Sequence, residues 1–290
     1  MEPTPYWFQL VVGFVYMAVA VVCMPVYGRI VYLFATQKLY KNVPCYRIII
    51  HTGVLQMMMG SGSFFYGLMQ VFNYDFLRLA LYTITIMSVG IKMEALLSLV
   101  LAVNRASVTL KLHLFSSLFY KASIYIIWIF GTIDFIIFCT PLAAKTAVPG
   151  QFQSHHDRSK PYSYLVKDIG SYICMISYIC TFVLYTIIVF NIIKLRLKSA
   201  HFTSSKTERS VLLYAIIQFA FKVILELVSS FHVVPTTPMG EFAMFMGYAL
   251  MHLLVSPVLF LMLNRKLRRD FLRRSSTIQV SCQRTLYIHP

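Results

Sequence analysis

Acidic side chains are scarce in this chain. Ten Asp and Glu stand against 26 Lys and Arg among 290 residues, and charged residues together reach only 12%. A soluble domain carries about 25%, so a water-soluble fold of this size would lack polar surface. Enzyme motifs are missing as well. There is no His-Glu-x-x-His, no Gly-x-Ser-x-Gly, no phosphate-binding glycine-rich loop and no pair of carboxylates in a water-facing segment. Six cysteines, at 23, 45, 139, 174, 180 and 282, show no metal-ligand spacing. Most lie in apolar runs, which reads as buried free thiols rather than a disulfide framework. No Asn-x-Ser/Thr acceptor occurs. No basic stretch precedes the first apolar run, which is too long for a cleaved leader and reads as a span that inserts directly. A pore-lining polar stripe and a selectivity loop are both absent. So are the matched Gly/Pro-broken spans of an inverted-repeat transporter. The sequence therefore assigns no catalytic residue, no metal and no cofactor.

What is abundant is apolar: 58% of the chain, against roughly 45–50% in soluble proteins. Seven continuous runs stand out, at 7–35, 46–70, 79–103, 122–143, 169–193, 210–234 and 242–263. Each exceeds the ~20 residues that cross ~30 Å of hydrocarbon. Outer-membrane strands would alternate apolar and polar instead. The predicted fold class is an all-α membrane protein, a seven-transmembrane helix bundle in a lipid bilayer. Basic residues collect at span ends, so the net charge of +16 is an orientation signal, not a nucleic-acid footprint. With the amino terminus outside, nineteen basic residues fall inside and five outside, which favours that orientation. Pro235-Thr236-Thr237-Pro238 marks a tight turn before the seventh span. The long outside loop, 144–168, reads as irregular, with His155 and His156 as solvated side chains. After Asn264 the chain turns basic and amphipathic. The segment 264–274 is predicted as a short helix with Leu267 and Phe271 on lipid, and 275–290 as a cytoplasmic tail carrying Cys282 as a free thiol.

Five ionisable residues fall near span midpoints: Lys92 and Glu94 in the third, Asp134 in the fourth, Lys222 and Glu226 in the sixth. A central charge costs at least ~2.5 kcal/mol in lipid, so these side chains must face the bundle interior, water or one another. Lys222 and Glu226, four apart, share a helix face and can pair. Lys92 and Glu94, two apart, point to different sides. That predicts Lys92–Asp134 and Glu94–Lys222 contacts across a central third span. The charges act either as a polar switch or as glue between helices.

Two stretches add a resemblance. Leu101-Ala102-Val103-Asn104-Arg105 looks like the Asp-Arg-Tyr position of rhodopsin-like receptors, in the Asn-Arg form of nematode serpentine chemoreceptors. Ser256-Pro257-Val258-Leu259-Phe260 resembles their Asn-Pro-x-x-Tyr. Trp128 fits the single tryptophan of the fourth span, and Val43-Pro44-Cys45-Tyr46-Arg47-Ile48-Ile49 is similar to a run in class T and related receptors. The resemblance implies a chemosensory G-protein-coupled receptor in the plasma membrane, with the sensory cilium as a candidate location. Its partners would be a small-molecule ligand and a heterotrimeric G protein. Arg105 and Glu208 would form the coupling-side switch, and Pro257 a hinge. Ligand contacts by depth would be Tyr82, Thr83, Ile86, Met87, Tyr172, Met175, Ile176, His232 and Met244. Several family features are absent: the second-span Asp of the sodium site, the first-span Asn, the disulfide at the third span, and the sixth-span Trp-x-Pro. A relay built on Lys222 and Glu226 is expected in its place. The alternatives are a seven-span transporter using the midplane charges, or a non-signalling membrane protein.

Overall fold

The protein is described by a computed structural model covering residues 5–37, 40, 43–110, 115–198, 206–230 and 237–272; side chains at 195–198, 206–211 and 229–230 are not described. Its long helices are α1 (Tyr6–Thr36), α2 (Pro44–Phe72), α3 (Leu79–Thr109), α4 (Ser117–Cys139), α5 (Ser163–Lys198), α6 (Lys206–Ser230) and α7 (Pro238–Leu263), followed by a short α8 (Arg265–Leu272). Among the described residues, six of the seven are long and apolar enough to cross a membrane. The other, α6, is 25 residues long, and its side chains are described over 212–228.

Ends follow local chemistry. The Ser116 side chain accepts from the Phe119 N–H to start α4, and Thr237 Oγ1 accepts from Gly240 N–H to start α7, with Pro238 at the first helical position. The α4 helix stops at Cys139, short of the expected 143, because Thr140-Pro141 follows. The α5 helix starts six residues before the expected 169, since its first turns carry Lys167 and Asp168 and do not read as apolar. Of the expected 235–238 turn, only Thr237 and Pro238 lie within the described residues.

Helix contacts are made by small residues. A Cβ on Gly67 would stand 2.6 Å from the Gly13 carbonyl oxygen, and one on Gly13 would stand 2.8 Å from that of Gly67. Both lie in helices, so what requires glycine is the close approach of the α1 and α2 backbones. The central α3 packs on α2, α4 and α5 and also meets α6.

Within α7 the helix is interrupted by a π turn over Met251–Val255. Pro257 supplies the reason: it has no N–H for the Leu253 carbonyl and its ring crowds that carbonyl. Asn264 leaves the helix at φ −111° and its Oδ1 accepts from Leu267 N–H at 3.0 Å, which caps α8. The amphipathic segment thus begins where expected, but its apolar face is not turned to lipid. Leu267 is fully buried, and Phe271 lies 4.8 Å beneath the Arg29 guanidinium of α1. The α8 helix is docked on the bundle because burying Leu267 against protein fills a gap below α1 and α7.

The 144–168 loop is also more ordered than its sequence suggests. Lys145–Thr146 (β1) and His155–His156 (β2) form an antiparallel hairpin, with Lys145 opposite His156 and Thr146 opposite His155. The hairpin tip turns into the bundle. Phe152 is fully buried, its carbonyl accepts from Tyr16 OH at 3.2 Å, and its N–H donates to Glu241 Oε2 at 3.0 Å. Gln70 Nε2 and Tyr66 OH donate to the Gln151 carbonyl at 2.6 and 3.0 Å. His155 sits 3.4 Å from Glu241 Oε1 and His156 packs on Phe138. His156 is not a solvated side chain, because its face of the hairpin is turned to α4, whereas His155 on the other face stays half exposed beside Glu241.

Candidate functional site

The bundle centre is occupied by a polar chain built on Glu94. This carboxylate is 2% exposed. Lys222 Nζ of α6 lies 2.8 Å from its Oε1, and His252 Nδ1 of α7 lies 2.9 Å from its Oε2. Gln56 Nε2 of α2 donates to Oε1, and Tyr27 OH of α1 donates to Gln56 Oε1. Lys222 also donates to Ser98 Oγ, one turn along α3, at 3.0 Å. Three helices, α2, α6 and α7, therefore meet one side chain of α3 directly, and α1 joins them through Gln56. The π turn brings His252 to this point, since it shifts the ring relative to a regular helix. The His252 Nδ1 is close to the carboxylate but not aligned for a hydrogen bond, and its Nε2 is buried without a partner.

Lys92 points the other way. Its ammonium lies 2.8 Å from Asp134 Oδ2 of α4, with both side chains 8% exposed. The two-residue offset between Lys92 and Glu94 thus links α3 to opposite sides of the bundle. Lys222 and Glu226 are not brought together. Lys222 has two acceptors on α3, whereas Glu226 faces α7 and accepts from Tyr248 OH at 3.3 Å. Sequence reasoning found the charges but missed Tyr27, Gln56, Ser98 and His252. Gln56 and His252 carried a signal: each is a polar residue with apolar neighbours on both sides.

Toward the α8 end, Gln218 Nε2 donates to Ser256 Oγ at 2.9 Å. Phe260 stacks on Tyr214 at 4.0 Å and meets Phe34 edge-on at 5.1 Å. Ser256 and Phe260 thus join α7 to α6 and α1 with one polar and two aromatic contacts. Pro257 is buried between them. Arg105 is 7% exposed, adjoins the Cys45 sulfur, and has its Nε buried without a hydrogen-bond partner. Glu208 lies in α6 with its side chain outside the described atoms, so the Arg105–Glu208 contact is not described. Trp128 Nε1 donates to His51 Nδ1 of α2 at 3.2 Å.

The expected ligand contacts divide. Thr83, Met87 and Met244 are buried and Ile86 is half-buried. His232 lies outside the described residues. Tyr82, Tyr172, Met175 and Ile176 are exposed on the outer face of the bundle, with Tyr172 at 62%. On α5 the inward positions are Cys174, Ser177 and Thr181. The expected register was off because α5 is apolar all round, leaving no periodicity to choose a face. The polar Ser177 and Thr181 were the available signal. Lower on the same helix, a crevice of about 570 Å³ between α5 and α6, lined by Phe182, Tyr185, Val189, Phe219 and Val223, opens on the outer surface.

Seven long helices packed in one bundle around the central α3 make up an all-α fold shared with rhodopsin. A crystal structure of squid rhodopsin superposes on it with a TM-score of 0.72, over 98% of this chain and 89% of that one, at 14% sequence identity. No protein-family model and no curated protein matches the sequence.

Proposed function

We propose that this protein is a G-protein-coupled receptor for small external chemicals, of the serpentine chemoreceptor type. In this reading the amino terminus and the β1–β2 hairpin face outside, and α8 lies along the cytoplasmic surface of the plasma membrane, in a sensory cilium where the cell has one. The observation that supports it best is the Glu94 node. A buried carboxylate on the central helix holds both α6 and α7, so any ligand that alters their packing near the hairpin end must reset the Glu94–Lys222 contact. In rigid packed interiors such a contact has discrete alternatives rather than a continuum. Breaking it leaves buried charge unpaired, at roughly 3–5 kcal/mol, which suits a two-state restraint. Thr83, Met87, Met244, Cys174 and Ser177 are the ligand contacts in this reading. Arg105, with Glu208 as its partner, engages the cytoplasmic face, and Pro257 with the π turn is the hinge. The test is ligand-dependent guanine-nucleotide exchange on a co-expressed G protein, screened with odorants and soluble metabolites by a calcium readout. Substrate-driven flux without nucleotide exchange would replace the receptor with a transporter. Arg105→Ala is expected to lower stimulated exchange; unchanged basal and stimulated exchange would remove its role.

A further inference from the structure

Cations outnumber anions around one point at the hairpin end. Lys145 and His156 are direct cross-strand partners, so their side chains leave the same face of the hairpin. That face is turned to the bundle. The His156 ring lies 5.7 Å from the Phe138 ring of α4, and the Lys92 ammonium lies 5.1 Å over that same Phe138 ring. Gly170 on α5 completes the floor; a Cβ there would stand 2.9 Å from Lys92 Nζ. Lys167, three residues earlier on α5, is exposed with its ammonium 5.7 Å over the Tyr164 ring, and its charge acts on both Lys145 and His156. Asp134 is the one carboxylate acting on Lys145, and it is already bound to Lys92.

Two donors of this group have nothing to bind. Among the described residues none accepts from the Lys145 ammonium, and His156 Nδ1 is buried without a hydrogen-bond partner. The electrostatics agree with the geometry. Burial first, then Lys92 and Lys167, against an opposing effect of Asp134, lower Lys145 to about 7. Burial, then Lys145, Lys167, Lys92 and His155, push His156 down to about 3. Such a cluster is relieved by one more negative charge, which would accept charge-assisted hydrogen bonds from Lys145 and Lys167 and one from His156 Nδ1–H.

We propose that Lys145, His156 and Lys167 form a binding site for a small anion, an organic carboxylate or an inorganic halide, between the hairpin, the ends of α4 and α5 and the middle of α3. The site stands on this geometry alone and does not require that the protein signal. The test is thermal unfolding of the purified full chain in lipid nanodiscs, at ionic strength held with a bulky sulfonate. Sodium hexanoate is compared with hexanamide, its uncharged counterpart, and with sodium chloride. Hexanoate is expected to raise the unfolding midpoint saturably, as a ligand of the folded state does, and hexanamide to leave it unmoved. Lys145→Met should abolish the shift and Lys145→Arg should keep it. Lys167→Met, at an exposed position, should weaken it without touching the fold. A halide shift that hexanoate cannot add to marks the inorganic source; a hexanoate shift without a chloride response marks the organic one. Equal stabilisation by hexanamide, no shift with either anion, or a full shift in both Met variants would overturn the proposal.

Discussion

Glu94 shows how one residue can hold several helices. Its carboxylate has four good acceptor directions, and Gln56, Lys222 and His252 approach it from three helices. Replacing it by Gln leaves Lys222 buried beside a neutral amide. Glu94→Gln is therefore expected to cost roughly 3–5 kcal/mol, read as a lower midpoint in thermal unfolding of the purified chain. The double variant Glu94→Gln/Lys222→Met, which leaves neither charge alone, should recover most of the loss. Lys145 gives a pH signature of its own. Its folded pKa of about 7 lies below the ordinary lysine value of 10.5, so between those values the unfolded chain holds more protons and stability rises with pH. The rise should span pH 7 to about 10.5, flatten above it, and vanish in Lys145→Met. The groups acting on Lys145 are Lys92, Asp134, Lys167 and the hairpin neighbour His156. A flat midpoint across that window in the unaltered protein would contradict the assignment. At this scale the charged residues were legible in sequence, because charge in an apolar run must be turned inward. Their neutral partners were less so: Gln56 and Tyr27 cost little to bury once bonded, and so stand out less.

Elements were legible where their chemistry is local and less so where it depends on packing. Asn264 reads as a boundary in sequence because apolar residues end there, and it does cap α8. The docking of Leu267 under the bundle was not readable, since a residue on lipid and a residue on protein look alike in sequence. Leu267→Ala is expected to cost about 2–5 kcal/mol and to loosen α8 from α1, seen as faster amide exchange over 265–272. The same limit explains α5, whose uniform apolar surface hid Cys174, Ser177 and Thr181 as its inward face. The α1–α2 contact offers a cleaner test. Gly67→Ala places a methyl against a backbone carbonyl that cannot rotate away, so overpacking should cost about 1–3 kcal/mol. Gly28→Ala is the control: its Cβ would meet only the flexible end of Met57 at 3.3 Å, and it should be close to neutral in the same unfolding assay.

For the whole molecule, seven apolar runs and a sharp basic boundary were enough to define the bundle, because the bilayer imposes length and composition on each span. The hairpin plug was not legible: its hydrogen bonds run from the backbone of 150–152 to side chains on α1, α2 and α7, and a backbone partner leaves no sequence pattern. In the proposed function, the α3–α6 link through Glu94 and Lys222 restrains a receptor that drives nucleotide exchange. The most direct measurement is basal guanine-nucleotide exchange on a co-expressed G protein, compared between the unaltered chain and Glu94→Gln/Lys222→Met at matched surface levels. Basal exchange is expected to be severalfold higher in the double variant, and to be lost again when Arg105→Ala is added. Exchange no higher than in membranes lacking the protein, with the double variant present at the surface, would contradict it.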